Sequence, residues 1–412
     1  MKYVVNDRIV LMRPPEGPLA AFIRPFSGWA SEQGYALDSL RQRIWIAVGF
    51  SRWLGEKALR PPGIHSRHTA QYLQHRARRM SIHAGDAVAL QQLLKFLCGQ
   101  GVISAETVLP RRLAPAEQCA QDFEQYLSEE RALAKATIVN YVPFIRGFLK
   151  DRFRTGSVRL SSLCARDVVR FVQRQAPRLH LKRAKLLTCA PRAFLRYGCY
   201  RGEIHADLAT AVPAVANWSM PSIPRGITPD QVRRLLSHVN RGTAVGRRDY
   251  AILLLLARLG LRAGEIAFLD LGDIDWKAGC LNVCGKSGRR TQLPLPKDAG
   301  DAMVAYLQDG RPRSATRRVF LTARAPIRGF LGPSAVSTIV RHALLRAGVK
   351  APTAGAHQFR HGLATEMLHQ GASLSEIGEL LGHRSPETTK IYTKVDLDAL
   401  RTLAMPWPGG AR

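Results

Sequence analysis

The chain predicts a mainly α-helical protein with one small antiparallel β-sheet, and three patterns in its 412 residues carry that expectation. Through the first 210 residues, apolar side chains recur at i, i+3, i+4 and i+7, the spacing of helices that each bury one stripe. In the same region a set of aromatic motifs occurs twice. Further on, Cys280 to Val283 and Thr291 to Leu295 alternate around Gly-Lys-Ser-Gly-Arg-Arg, which reads as a β-hairpin, and helical spacing resumes after Val336.

The first element is a helical unit over residues 1–108. Its opening, Met1 to Pro15, breaks up apolar residues with Asp7, Arg8 and Arg13, and the longest clean apolar run, Ala251 to Ala257, is too short for a bilayer. A cytoplasmic protein is expected. Phe26-x-x-Trp29-x-Ser31-Glu32 returns as Phe123-x-x-Tyr126-x-Ser128-Glu129 at an offset of 97. Ile64 to Gln74 returns as Leu163 to Gln173 at 99, and Phe96-x-Cys98-x-x-Gly101-x-Ile103 as Tyr197-x-Cys199-x-x-Gly202-x-Ile204 at 101. Residues 109–215 are therefore expected to duplicate the four helices of the first unit, the slow drift marking small loop insertions. Pro213, Pro221, Pro224 and Pro229 make residues 216–228 an extended linker. It ends at Thr228-Pro229-Asp230-Gln231, where Thr caps, Pro suits the first helical position and Gln completes a capping box, so residues 229–412 form the last domain.

Sixty-one Lys and Arg against 31 Asp and Glu leave a formal charge of +30, a self-repulsion best tolerated beside a polyanion. Nucleic acid is the first candidate partner, and the dispersion of the cations predicts several phosphate-facing surfaces. The length and the 46% hydrophobic content exclude a disordered tail. Cys98, Cys119, Cys164, Cys189, Cys199, Cys280 and Cys284 are odd in number and lack zinc spacing, so they are expected to be reduced, buried and inert. His357 and His361 stand at i, i+4 without the Glu or third ligand of a zinc helix. Gly285-Lys286-Ser287 imitates the end of a phosphate-binding loop, but Cys280 occupies its first glycine and a strand follows. Neither a metal nor a cofactor is called for.

The last domain holds Arg262, Lys286, His357, Arg360, His383 and Tyr392 in that order. Together these types meet the needs of phosphodiester transfer without a metal: a nucleophile, charge for a pentacoordinate phosphorane, and a proton donor for the leaving oxygen. Arg262 and Arg360 suit the phosphorane because a guanidinium donates bidentate bonds and stays charged. His357 lies one helical turn before Arg360, so both are expected to face one phosphate, while His383 adds a donor or a proton shuttle. The phenol of Tyr392, with an ordinary pKa of about 10, needs nearby cations or a base to react at neutral pH. Glu265 is expected to be structural.

The strings that carry these residues are Arg262-x-x-Glu265, Lys286 on the hairpin, His357-x-x-Arg360, Leu381-Gly382-His383-x-Ser385 and Tyr392. Over residues 225 to 400 they resemble the tyrosine recombinases, the phage integrase family, departing only at Phe359, where Leu is common, and at Gly362, where a hydroxyl residue is frequent. The resemblance implies that Tyr392 attacks the scissile phosphate to give a 3′-phosphotyrosyl bond, with Lys286 as general acid. It further implies a helical core-binding domain at 109–215 ahead of the catalytic domain, with Arg146, Lys150, Arg152, Arg154, Lys182, Arg183, Lys185 and Arg192 as phosphate contacts. Partners would be double-stranded DNA in the nucleoid, three further copies in a tetramer tied by a tail helix over Val395 to Leu403, and accessory recombinase subunits. Integration or transposition of a mobile element is the kind of setting this implies. The first unit is open to three readings: a second DNA contact, an extended clamp, or a protein-binding module. Two rival functions stand beside recombination, a type IB topoisomerase and a DNA-binding accessory factor without activity.

Overall fold

The computed structural model describes residues 3–6, 9–104, 113–154, 156–214, 226–285, 288, 290–351, 353–383, 385–389 and 391–392. A hairpin of β1 (Tyr3–Asn6) and β2 (Ile9–Leu11) opens the chain. Val5, Ile9 and Leu11 enter the first core while Val4 and Val10 stay exposed, a period-2 pattern that the sequence reading passed over. Four helices follow: α1 (Ala20–Glu32), α2 (Leu37–Glu56), α3 (Ser66–Ala77) and α4 (Ala84–Gly99). A second set comprises α5 (Pro115–Glu129), α6 (Lys135–Phe153), α7 (Ala165–Gln175) and α8 (Leu181–Tyr200).

The two sets repeat each other in detail. A single 3-10 turn precedes the third helix of each, Pro61–Gly63 and Leu160–Ser162. The third helices begin with equivalent caps, in which His68 Nδ1 accepts from the His65 amide at 3.0 Å and Asp167 accepts from the Cys164 amide at 3.1 Å. Phe26 stacks on Trp29 at 5.9 Å and 19°, as Phe123 does on Tyr126 at 6.4 Å and 23°. Phe26 meets Phe96 at 5.7 Å and 52°, and Phe123 meets Tyr197 at 5.4 Å and 51°. Helical periodicity by itself does not reproduce pair geometry, so the likeness of the two sets extends to how their aromatic rings pack.

The third core is built by α9 (Pro229–Ser237), α10 (Ala244–Leu259), α11 (Ala263–Ala267), α12 (Lys297–Asp309), α13 (Pro333–Arg346) and α14 (His357–His369). Between α11 and α12 an antiparallel sheet runs in the order β3 (Ile274–Asp275), β4 (Cys280–Cys284) and β5 (Arg290–Pro294), with Leu281 opposite Leu293. The expected cap is present: Thr228 Oγ1 accepts from the Gln231 amide at 3.3 Å and Gln231 Oε1 accepts from the Thr228 amide at 3.1 Å. A smaller cluster of Ala364, Ile377, Leu381 and Tyr392 joins α14 to α15 (Leu374–Leu380), and α16 (Pro386–Thr389) follows.

Contacts group the described residues into two compact units, one within Thr107–Pro221 and the other within Met1–Glu106 and Ser222–Arg412. The first bundle therefore keeps its own core and groups with the last domain. The Ile327 amide donates to Gln33 O at 2.9 Å. Gly34, with φ of 80°, sits so close that an added Cβ would lie 2.5 Å from Ile327 Cγ1. All seven cysteines are free, but none is fully buried and Cys164 and Cys284 are exposed, which corrects the expectation of burial. Both exposed thiols sit at element ends, one capping α7 and one closing β4, positions that the helical stripe does not cover. Among the described residues no helix is long and apolar enough to cross a membrane.

Candidate active site

α10 ends at Gly260 in the left-handed region, φ 59°, and the chain turns back so that Arg262 caps α11. Glu265 serves that cap twice: one carboxylate oxygen accepts from the Arg262 amide at 2.8 Å, the other from Nη1 at 2.7 Å. The Arg-x-x-Glu spacing is thus a capping box that also aims a guanidinium. Glu265 is structural, as expected.

Arg360, on the first turn of α14, is buried, with 6% of its surface exposed. Its Nη1 donates to Gly260 O at 2.9 Å and its Nη2 to Leu381 O, so one guanidinium ties the ends of α10 and α15. Burial, and then repulsion from Arg262, bring its pKa down to about 10, and it remains a cation at neutral pH. His383 follows α15 and shares a 2.8 Å hydrogen bond between Nδ1 and Thr389 Oγ1. Burial, then Arg360 and Arg262, push its pKa down to about 4, so its imidazole is neutral.

Arg262, Arg360, His383, Thr291 and Gly285 line one cleft of about 390 Å³. Arg262 and Arg360 bring two guanidinium groups to it, and Glu265 is paired with Arg262. The cleft opens beside the end of β4, and Lys286, the next residue after Gly285, lies outside the described residues, as does the tail from 393 onward.

Tyr392 is buried, 1% exposed, against Ile377 and Leu381. Its ring lies parallel to that of His383, at 6.4 Å and 8°, and its hydroxyl is 3.0 Å from His361 Nδ1. Burial raises the phenol pKa and Arg360 opposes the rise, which places the guanidinium within electrostatic reach. His357 stands exposed at the start of α14, one turn before Arg360, with an electrostatic interaction with His361.

The family model described as the phage integrase family matches residues 225–398. The putative integrase/recombinase y4rA of Sinorhizobium fredii (strain NBRC 101917 / NGR234) is 53% identical over 412 residues, all of both chains. The tyrosine recombinase XerD of Mycobacterium tuberculosis is 32% identical over 308 residues, 70% of this chain and 96% of that one. The chain belongs to the phage integrase family, the tyrosine recombinases. Two solved structures share the fold at 18% identity. The XerH recombinase bound to a palindromic difH substrate has a TM-score of 0.55 over 77% of this chain and 94% of its own, and a lambda integrase dimer on a COC′ core site has 0.52 over 67% and 94%.

As a tyrosine-type site-specific recombinase, the protein binds DNA, and the cations expected on its second bundle fall into two groups. Arg146 pairs with Glu117 at 2.7 Å and Glu124 at 3.5 Å, Lys150 with Glu117 at 3.8 Å, and Arg152 with Asp167 at 3.0 Å. Arg192 donates to Val212 O at 2.8 Å. These four brace the bundle in this structure. Arg154, Arg183 and Lys185 are exposed, Arg183 lying over the Phe144 ring at 5.6 Å, and the Lys182 side chain lies outside the described part. The sequence reading of this recombinase also missed His361, which it weighed only as a zinc ligand. The one signal for another role was its position directly after Arg360.

Proposed function

We propose that this recombinase cleaves duplex DNA by attack of Tyr392 Oη on the scissile phosphorus, leaving a 3′-phosphotyrosyl bond and a free 5′-hydroxyl. Arg262 and Arg360 hold the non-bridging oxygens and neutralise the phosphorane. Lys286 protonates the departing 5′ oxygen, and His383 and His357 add donors. Because the phosphodiester energy is kept in the covalent bond, the reverse attack by a 5′-hydroxyl reseals the strand. The observation that carries this reading is the convergence of Arg262, Arg360 and His383, from three separate segments, on one cleft with Tyr392 stacked on His383.

Residues 109–215 act as the core-binding domain, residues 1–108 as its duplicate, and residues 229–412 as the catalytic domain behind the 216–228 linker. The exchange is completed by four copies on paired sites, tied by the tail after Tyr392, with accessory subunits where the element supplies them. A nicked suicide duplex tests the chemistry. Wild-type protein is expected to become covalently joined to it, and Tyr392→Phe to bind with unchanged affinity and form no adduct. An adduct with Tyr392→Phe shows that another residue attacks. Four-way junctions with paired sites distinguish recombination from topoisomerase-like relaxation, and absence of any wild-type adduct marks a binding factor.

A further inference from the structure

We propose that His361 is the base that receives the phenolic proton of Tyr392 during strand cleavage and returns it during rejoining. The inference rests on Tyr392 being the nucleophile. The buried hydroxyl has Nδ1 of His361 at 3.0 Å. A phenol enclosed in this way cannot release its proton directly to bulk water, and burial makes the proton harder to lose. It needs an acceptor within hydrogen-bond reach.

The other imidazoles are placed for different work. His383 lies parallel to the phenol with Nδ1 committed to Thr389, so it packs on the ring. His357 is exposed, one turn away at the start of the same helix, and carries the role of a donor to the phosphate. His361 is half-buried, and among the described residues the charged or titratable groups that face it are His357 and Arg360 on its own helix and Tyr392 and His383 from the segment after α15. Burial, then His357 and Arg360, hold its pKa below the ordinary histidine value, so Nδ1 is free to accept at neutral pH.

The step balances. The Oη–H bond breaks and its proton goes to Nδ1, while Oη forms a bond to phosphorus. The bond from phosphorus to the 5′ oxygen breaks, and that oxygen takes a proton from Lys286. On rejoining, the 5′-hydroxyl returns its proton to Lys286 as its oxygen attacks phosphorus, the bond from phosphorus to Oη breaks, and the imidazolium of His361 reprotonates the departing phenolate.

The test is single-turnover cleavage of a nicked suicide duplex by the full chain at subsaturating DNA, across pH, for wild type, His361→Ala and His361→Phe. Phe keeps the ring volume and removes the nitrogen. Both variants are expected to bind duplex within twofold of wild type and to cleave about 10²- to 10⁴-fold more slowly. Wild-type cleavage should fall as pH drops through the His361 pKa, below 6.5, because protonated Nδ1 no longer accepts. In His361→Ala that limb should move toward the value of His383, about 4, and added imidazole should restore part of the rate. Wild-type or faster cleavage by His361→Phe, as for a residue that merely parks the nucleophile, overturns the proposal. So does slow cleavage with the acid limb unchanged and no response to imidazole. Adduct formation by Tyr392→Phe instead places the error in the proposed nucleophile.

Discussion

Arg360 is a cation that folding holds against its own preference. Burial costs it solvation, Arg262 repels it, and three compensations keep it in place: the carbonyls of Gly260 and Leu381 and the field of Glu265. In the proposed reaction a phosphate entering the cleft would relieve both costs at once, and most strongly where negative charge grows, at the phosphorane. The leaving oxygen needs a different partner, because a guanidinium does not give up its proton. If Lys286 fills that role, Lys286→Ala should cleave an ordinary duplex about 10²-fold or more slowly and recover most of the rate when the 5′ bridging oxygen is sulfur, a better leaving group. Equal defects on both substrates would remove Lys286 from the role.

α14 is positioned by its contact with the chain that enters the catalytic domain. The Ile227 amide donates to Gln358 O at 3.2 Å, and the backbones approach so closely that a Cβ on Gly362 would lie 2.2 Å from Ile227 O. Gly226 faces the same contact, since its added Cβ would lie 2.2 Å from the Gly362 amide nitrogen. A hydroxyl residue at 362 has no room here, which explains the departure noted in the sequence. The helix that carries His357, Arg360 and His361 thereby has its angle set by a glycine. Gly362→Ala is expected to destabilise the catalytic domain by about 1–3 kcal/mol, seen as a lower melting temperature, because the obstacle is backbone and cannot rotate away. It should also slow cleavage, by tilting Arg360 away from Gly260. An unchanged melting temperature would show that the segment at 227 is not held there in solution.

Among the described residues, two four-helix sets and the last domain each have a separate main core. Phe123 sits at the centre of the second bundle, fully buried among Tyr126, Phe194 and Tyr197. Phe123→Ala should cost that bundle about 3–5 kcal/mol. Calorimetry is expected to show one transition move down while the transition of the other unit stays in place. A common shift of all transitions would mean that the cores unfold as one. The first bundle is held to the loop around Ile327 through Gln33 and Gly34, so its fate should follow the catalytic domain.

Much of this was legible in the residues because it depends on near neighbours. Helix and hairpin periods, the Thr228 and Gln231 cap, the Arg262 and Glu265 box, the order of the side chains proposed as catalytic and the repeat of aromatics are all patterns within a few positions or copies of such patterns. The β1–β2 hairpin escaped notice because three or four residues a side is too short a run to stand out against charged neighbours. Four features came only from tertiary packing: the inward turn of Arg360 toward carbonyls 100 and 21 residues away, the exposure of His357, the half-burial of the cysteines, and the bond of His361 to a phenol 31 residues on. Local propensity fixes which face a side chain leaves from. Which partner it meets is set by how separate segments close around a common core, and that depends on contacts no window of sequence contains.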